Sequence, residues 1–381
     1  MRGLRDRFLQ NPGRDSSPRG AGHAVAATCR GDAMVIRRQI VDTGDDVMSG
    51  RGRAVSKEDR RAEELHGRAI VIDAACPLVN PRQIAAYVPA LQRGGVTCAF
   101  STVASIEPAR YAVGALSAWY ARAREFAGAI SLASSAGEIE AAKREGRIAI
   151  VLHFQGGAPL EYDPSLVEAF HRLGVRVIQL TYNERNPLGD GCTERGDAGV
   201  SKLGLAVIGE MNRLGMVLDL THAGYRTSME ALEASTTPVI FSHSNARALR
   251  DSPRNLPDDL LRALARRGGV VGACAFPAFL TTGPATVEHL LDHIDYMSRL
   301  IGPEHIGLGM DFAAETAEDY EYFRYDPSVY PAPPWVYPMG IEGFGDFPNI
   351  TRGLAARGYA DRDVLGILGG NFLRVFREVC G

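Results

Sequence analysis

No apolar run in this 381-residue chain reaches the roughly 18 residues that a bilayer-spanning helix needs. Neither sign of charge dominates. The 42 basic and 45 acidic side chains leave a net charge of −3, which argues against a nucleic acid or an anionic membrane surface as partner. Cysteine is scarce and scattered: Cys29, Cys76, Cys98, Cys192, Cys274 and Cys380 form no C-x-x-C pair. That excludes a disulfide framework and reads as reduced thiols in a cytoplasmic chain. Several catalytic signatures are missing too, namely the G-x-S-x-G elbow, the P-loop and H-E-x-x-H. His289 and His293 have helical i, i+4 spacing without the glutamate and read as surface or packing residues.

Residues 1–60 are rich in Arg, Gly, Ser and Asp and show no sustained apolar period. Arg37-Arg38 precedes no apolar segment of the twin-arginine type. This stretch is expected to be a flexible tail, or to lie ahead of a true start at Met34 or Met48. The folded unit is expected over residues 61–381.

What is present is a repeat. Short β-branched runs at 69–73, 96–101, 148–152, 175–180, 216–220, 238–242, 269–273 and 305–310 alternate with amphipathic stretches. Continuous apolar runs of this length suit strands buried on both faces of a parallel sheet. Helices are expected near 107–128, 199–214, 257–267, 284–301 and 361–378, the second ending at Gly215 as C-cap. Alternation on this scale predicts an α/β fold, a closed (β/α)8 TIM-type barrel. A doubly wound sheet would call for a Gly-rich loop after the first strand, and Asp73-Ala-Ala-Cys-Pro77 is not one.

Polar residues gather where these runs end: His153 and Gln155, then Thr181-Tyr182-Asn183, then His222, His243 and Asp311. In a parallel barrel those ends converge on one face. Two histidines on neighbouring strands are placed to share a metal ion, and Asp311 adds a carboxylate or a base. His153 has the strand parity of Gln155, one step deeper, and is either a further ligand or a satisfied core histidine.

Leu218-Asp-Leu-Thr-His222, Pro238-Val-Ile-Phe-Ser-His-Ser244, Ser252-Pro-Arg-Asn-Leu-Pro-Asp-Asp259 and His305-Ile-Gly-Leu-Gly-Met-Asp311 resemble the membrane (renal) dipeptidase family, as does the segment 358–376. The resemblance covers roughly residues 66–379. It implies a barrel with a two-zinc site that hydrolyses dipeptides. It makes His222 and His243 ligands of one zinc, Arg254 the grip on the substrate carboxylate, and Asp311 the proton shuttle. Tyr182 replaces the family's substrate-binding histidine, with Asn183 beside it.

The departures lie on the first and third runs. Ala75 stands at the family's His position, Pro77 at its Asp position, and Gln155 at its bridging Glu. One zinc ion is therefore expected rather than two, on His222 and His243, with Gln155 as a weak ligand or catalytic group. The expected activity is hydrolysis of a dipeptide or related small amide. The alternatives are a catalytically impaired barrel that binds a small carboxylate, and a hydrolase of a modified amino acid. Residues 313–350, rich in Tyr, Phe and Pro, are expected to form a lid, a contact between two copies of the chain, or a packed loop.

Overall fold

The computed structural model describes residues 56–313 and 316–381. Its first element is the helix Lys57–Arg68, opened by a capping box in which Ser56 Oγ accepts from the Asp59 N–H. The expected boundary at residue 61 therefore falls inside a helix, and the rest of the proposed tail lies outside the described residues.

Nine parallel strands follow: β1 (Val71–Cys76), β2 (Val96–Ala104), β3 (Ile130–Leu132), β4 (Ile148–Phe154), β5 (Val175–Gln179), β6 (Val217–Asp219), β7 (Ile240–Phe241), β8 (Val270–Ala273) and β9 (Ile306–Leu308). Their order is β1-β2-β4-β5-β6-β7-β8-β9, with β3 paired only to β4. The ring is nearly closed where β9 meets β1: the Asp311 N–H donates to Ala75 O (3.0 Å) and the Met310 N–H to Asp73 Oδ1 (2.8 Å). Eight strands match the eight apolar runs. β3 is three residues long and half-buried, too short to leave a periodic signal.

Strand alternation divides the core in two. Ile72, Phe100, Val151, Val177, Val217 and Val270 point into the barrel, where Phe372 and Phe376 of the helix Asn371–Cys380 pack with them. Ile150, Leu152, Ile178, Leu218 and Leu308 point outward against the helices. Burial on both faces explains why the strands read as continuous apolar runs. Among the described residues no helix is long and apolar enough to cross a membrane.

Candidate active site

The inward-facing series on each strand changes character at its carboxyl end. Apolar residues give way to Gln155, Gln179, Asp219, Ser242 and His243, all buried. Three residues here adopt left-handed backbone conformations without being glycine: Asn183 (φ 59°), His222 (φ 68°) and Asp311 (φ 56°). Such conformations cost of order 1–3 kcal/mol each and concentrate at functional sites. Gly309 is required for a different reason. A Cβ there would meet the Ser242 carbonyl oxygen at 1.9 Å and the His243 Cβ at 3.2 Å.

His222 and His243 meet through their Nε2 atoms, 2.9 Å apart. Asn183 Oδ1 accepts from the Tyr330 hydroxyl (3.0 Å) and lies 2.7 Å from His222 Nδ1. His222 is therefore protonated on Nδ1 and presents a lone pair from Nε2. His243 Nδ1 lies 2.8 Å from Ser242 Oγ. If the single ring proton of His243 sits on Nε2, it bridges the pair. If it sits on Nδ1, two lone pairs face each other, and a shared cation relieves the repulsion. Burial, with the Arg254 guanidinium beside them, holds both imidazoles far below their ordinary range, so both are neutral.

A polar network underlies the pair. Asp219 Oδ1 accepts from the Thr221 N–H (3.0 Å), the Thr221 hydroxyl (2.8 Å) and the Ser242 N–H (3.1 Å), and Oδ2 accepts from Gln179 Nε2 (2.8 Å). Burial alone would raise this carboxyl, but its contact with His153 and the hydrogen bonds it accepts hold it well below the usual range. His153 Nε2 lies 3.2 Å from Asp219 Oδ2. His153 is fully buried and is not among the residues lining the cavity described next, and beyond that contact neither of its ring nitrogens has a hydrogen-bond partner. Only the register of β4 against β5 and β6 reveals that pairing.

The cavity of about 50 Å³ at the strand ends is walled by Gln155, Tyr182, His222, Asp311, Tyr330 and Trp335, among others. Tyr182 stacks on His222 with ring centroids 4.3 Å apart. Gln155 Nε2 is buried without a hydrogen-bond partner. Burial pushes the Asp311 carboxyl up to about 6, with Arg254 pulling the other way. Arg254 and Asn183 sit behind this wall rather than in it. Arg254 Nε donates to the Tyr330 hydroxyl (2.8 Å), and Nη2 lies 3.4 Å from both His222 Nε2 and His243 O. Its guanidinium is 2 % exposed and, among the described residues, has no carboxylate partner. Tyr330 belongs to the aromatic segment after β9, which packs over the mouth through Tyr325, Tyr330, Phe276 and Phe279. The sequence flagged that segment by composition but not Tyr330 itself. His293, by contrast, is buried away from the mouth, bonded to Leu280 O (3.2 Å) and the Ala246 N–H (3.2 Å).

Ala75 and Pro77 offer no side-chain donor on the β1 side. Two imidazole nitrogens, each oriented through Nδ1, converge on the β6–β7 side. Among the described residues no group of three His, Cys, Asp or Glu side chains is arranged to hold a metal.

Comparison with known proteins bears on the family and the fold. The family model for membrane dipeptidase (Peptidase family M19) matches residues 61–325. Mouse dipeptidase 3 is 34% identical over 240 residues, 61% of this chain and 45% of that protein. Dipeptidase tcpJ of Claviceps purpurea is 33% identical over 254 residues, 66% of this chain and 55% of that protein. The chain thus spans about half the length of these relatives. An amidohydrolase structure from Pseudomonas aeruginosa superposes with a TM-score of 0.79 at 33% identity, over 84% of this chain and 99% of that one. A Rhodobacter sphaeroides metallopeptidase, bound to a phosphinate mimic of L-Ala-D-Ala, shares the fold at 20% identity with a TM-score of 0.71, over 82% and 99% of the two chains.

Proposed function

The chain belongs to the membrane dipeptidase family, and on that premise we propose that it is a metal-dependent hydrolase of a small carboxylate-terminated amide, a dipeptide or a close relative. The observation that carries the reading is the convergence of the two neutral imidazoles of His222 and His243 beside an unneutralised Arg254. The family implies a metal cofactor. Our reading is one zinc ion held by His222 and His243, with Gln155 as a weak further ligand. Bound there, the ion supplies a Lewis acid and a water acidified enough to attack at neutral pH.

The chain's own groups do the rest. Arg254 pairs with the substrate carboxylate, which displaces the Tyr330 hydroxyl from its guanidinium. Asp311, titrating near 6, takes a proton at its carboxylate and returns it to the leaving amine. Tyr182 holds the His222 ring plane by stacking, and Asn183 fixes its tautomer. The cavity of about 50 Å³ is small for any such substrate, so the segment bearing Tyr330 and Trp335 swings aside as a lid.

Elemental analysis of zinc-supplemented protein is expected to give one ion per chain, and a dipeptide panel to give turnover that vanishes in His243→Ala. Absence of both stoichiometric metal and turnover would overturn the reading. It would favour the alternative that Arg254, lacking a carboxylate partner, also supports, a barrel that binds small carboxylates without cleaving them. Turnover confined to side-chain-modified amino acids would instead point to the exchange of histidine for Tyr182.

A further inference from the structure

We infer that the substrate is an N-acylated amino acid with a bulky apolar acyl group, rather than a dipeptide with a free amine. The inference rests on the hydrolase reading above. The small cavity beside His222 adjoins a half-open groove of about 900 Å³, and the two share Pro77, Thr102, Ser105 and Phe323 in their walls. Sites of roughly 300–1,000 Å³ hold drug-sized ligands, larger than two small amino acids require. The groove is bounded by the segments that follow β1 and β2 and by one face of the helix Ala109–Glu125. Leu78, Val103, Tyr111, Ala115, Ala118 and Phe323 make its lining predominantly apolar.

Position gives the direction of the substrate. In the ring of eight, β2 and β7 are four strands apart, so they face each other across the mouth. Arg254 follows β7 and the groove follows β2. A molecule with its carboxylate on Arg254 and its amide beside the histidine pair therefore directs its acyl side into the groove.

Charge argues against a free amine there. An α-ammonium group on the acyl side needs an anion close by. The shared wall offers Pro77, Thr102 and Ser105, and Gln155 stands next to them. Glu107 and Asp319 also line the groove, but both already accept hydrogen bonds: Glu107 Oε2 from the Ser105 N–H (2.7 Å), and Asp319 Oδ2 from the Thr316 N–H and hydroxyl (2.9 Å each). Asp311, the acid in the small cavity, is the proton carrier of the reaction. A neutral acyl group meets no such need and gains from burial. Hydrolysis then forms a bond from the water oxygen to the acyl carbon and breaks the C–N bond. The fatty or aryl carboxylate leaves on one side, and the free amino acid leaves with the transferred proton.

The test uses N-acetyl-, N-butanoyl- and N-octanoyl-alanine beside Ala-Ala. Affinity is measured calorimetrically on His222→Ala and kcat/KM on the zinc-supplemented native chain. Affinity and kcat/KM are each expected to rise about tenfold or more from acetyl to octanoyl, since each methylene that is fully buried contributes about threefold to fourfold. Gly114 lies in the groove wall, and a Cβ added there meets no atom within 4 Å. Gly114→Trp should erase the dependence on acyl length and leave N-acetylalanine unaffected, and Ala118→Trp should do the same from the next turn. Affinity flat in acyl length, or Ala-Ala preferred over octanoylalanine with both tryptophan variants indifferent, overturns the inference. Length-dependent binding without turnover of any compound would uphold the groove and refute the hydrolase reading instead.

Discussion

Across the barrel mouth, the ends of β6 and β7 carry Asp219, Thr221, His222, Ser242 and His243 in one hydrogen-bonded network, whereas the end of β1 carries Ala75, Cys76 and Pro77. The first half keeps every donor oriented by a second partner. The second half has no side-chain donor at Ala75 or Pro77, and its surroundings open into the large groove. The difference shows that the two sides of one barrel mouth can be built from different chemistry. A ligand pair on two neighbouring strands depends on the network beneath those strands, not on the opposite wall.

The largest effect should come from breaking the network. Asp219→Ala leaves the Ser242 N–H, the Thr221 groups and Gln179 without their acceptor. Loss of about 3–5 kcal/mol of unfolding free energy is expected in urea melts. A loss below about 1 kcal/mol would mean that the network is not what holds this half together.

The β1 side keeps one buried carboxyl, Asp73, pushed up by burial to about 7. Its folded pKa lies above the unfolded value. Its contribution is thus fully present below about pH 4 and is lost as pH rises toward 7, with a slope of at most about 1.4 kcal/mol per pH unit. Asp73→Asn keeps an acceptor for the Met310 and Ala75 N–H groups and should flatten that part of the stability–pH curve. Equal slopes for native and variant chains between pH 4 and 7 would sink the assignment.

Arg254→Ala tests the polar half from the substrate side. A loss of about 2 kcal/mol in binding, roughly 30-fold and seen mainly in KM, is expected for carboxylate-terminated substrates. Carboxamide-terminated analogues should be nearly indifferent. The smallest effect is expected from Tyr330→Phe. It removes the hydroxyl that bridges Arg254 and Asn183, at about 1 kcal/mol of stability. Carboxylates should then bind severalfold more tightly, because no hydroxyl has to be displaced. Weaker binding would make Tyr330 a substrate contact rather than a cap.

Most of the framework was legible because strand alternation and burial on both faces leave a mark on every strand of a parallel barrel. Eight runs matched eight strands, and the polar residues at their ends converged. β3 escaped because three half-buried residues carry no period. His153 had the right parity for the mouth, yet its partner is Asp219, 66 positions later in the chain. That distance is bridged by strand order, which one run of sequence does not encode. Tyr330 was visible as one tyrosine among several, and its bond to Arg254 spans 76 positions.

By itself the sequence determined the barrel, the family and the placing of His222 and His243 at neighbouring strand ends, since each of these is a matter of residue type at a periodic position. The tertiary structure alone decided that Arg254 lies behind Tyr330, that His153 sits against Asp219, and that the segment after β1 borders a groove. Those outcomes depend on inter-strand register and on how a long aromatic segment packs across the mouth, and both are set by contacts between residues far apart in the chain.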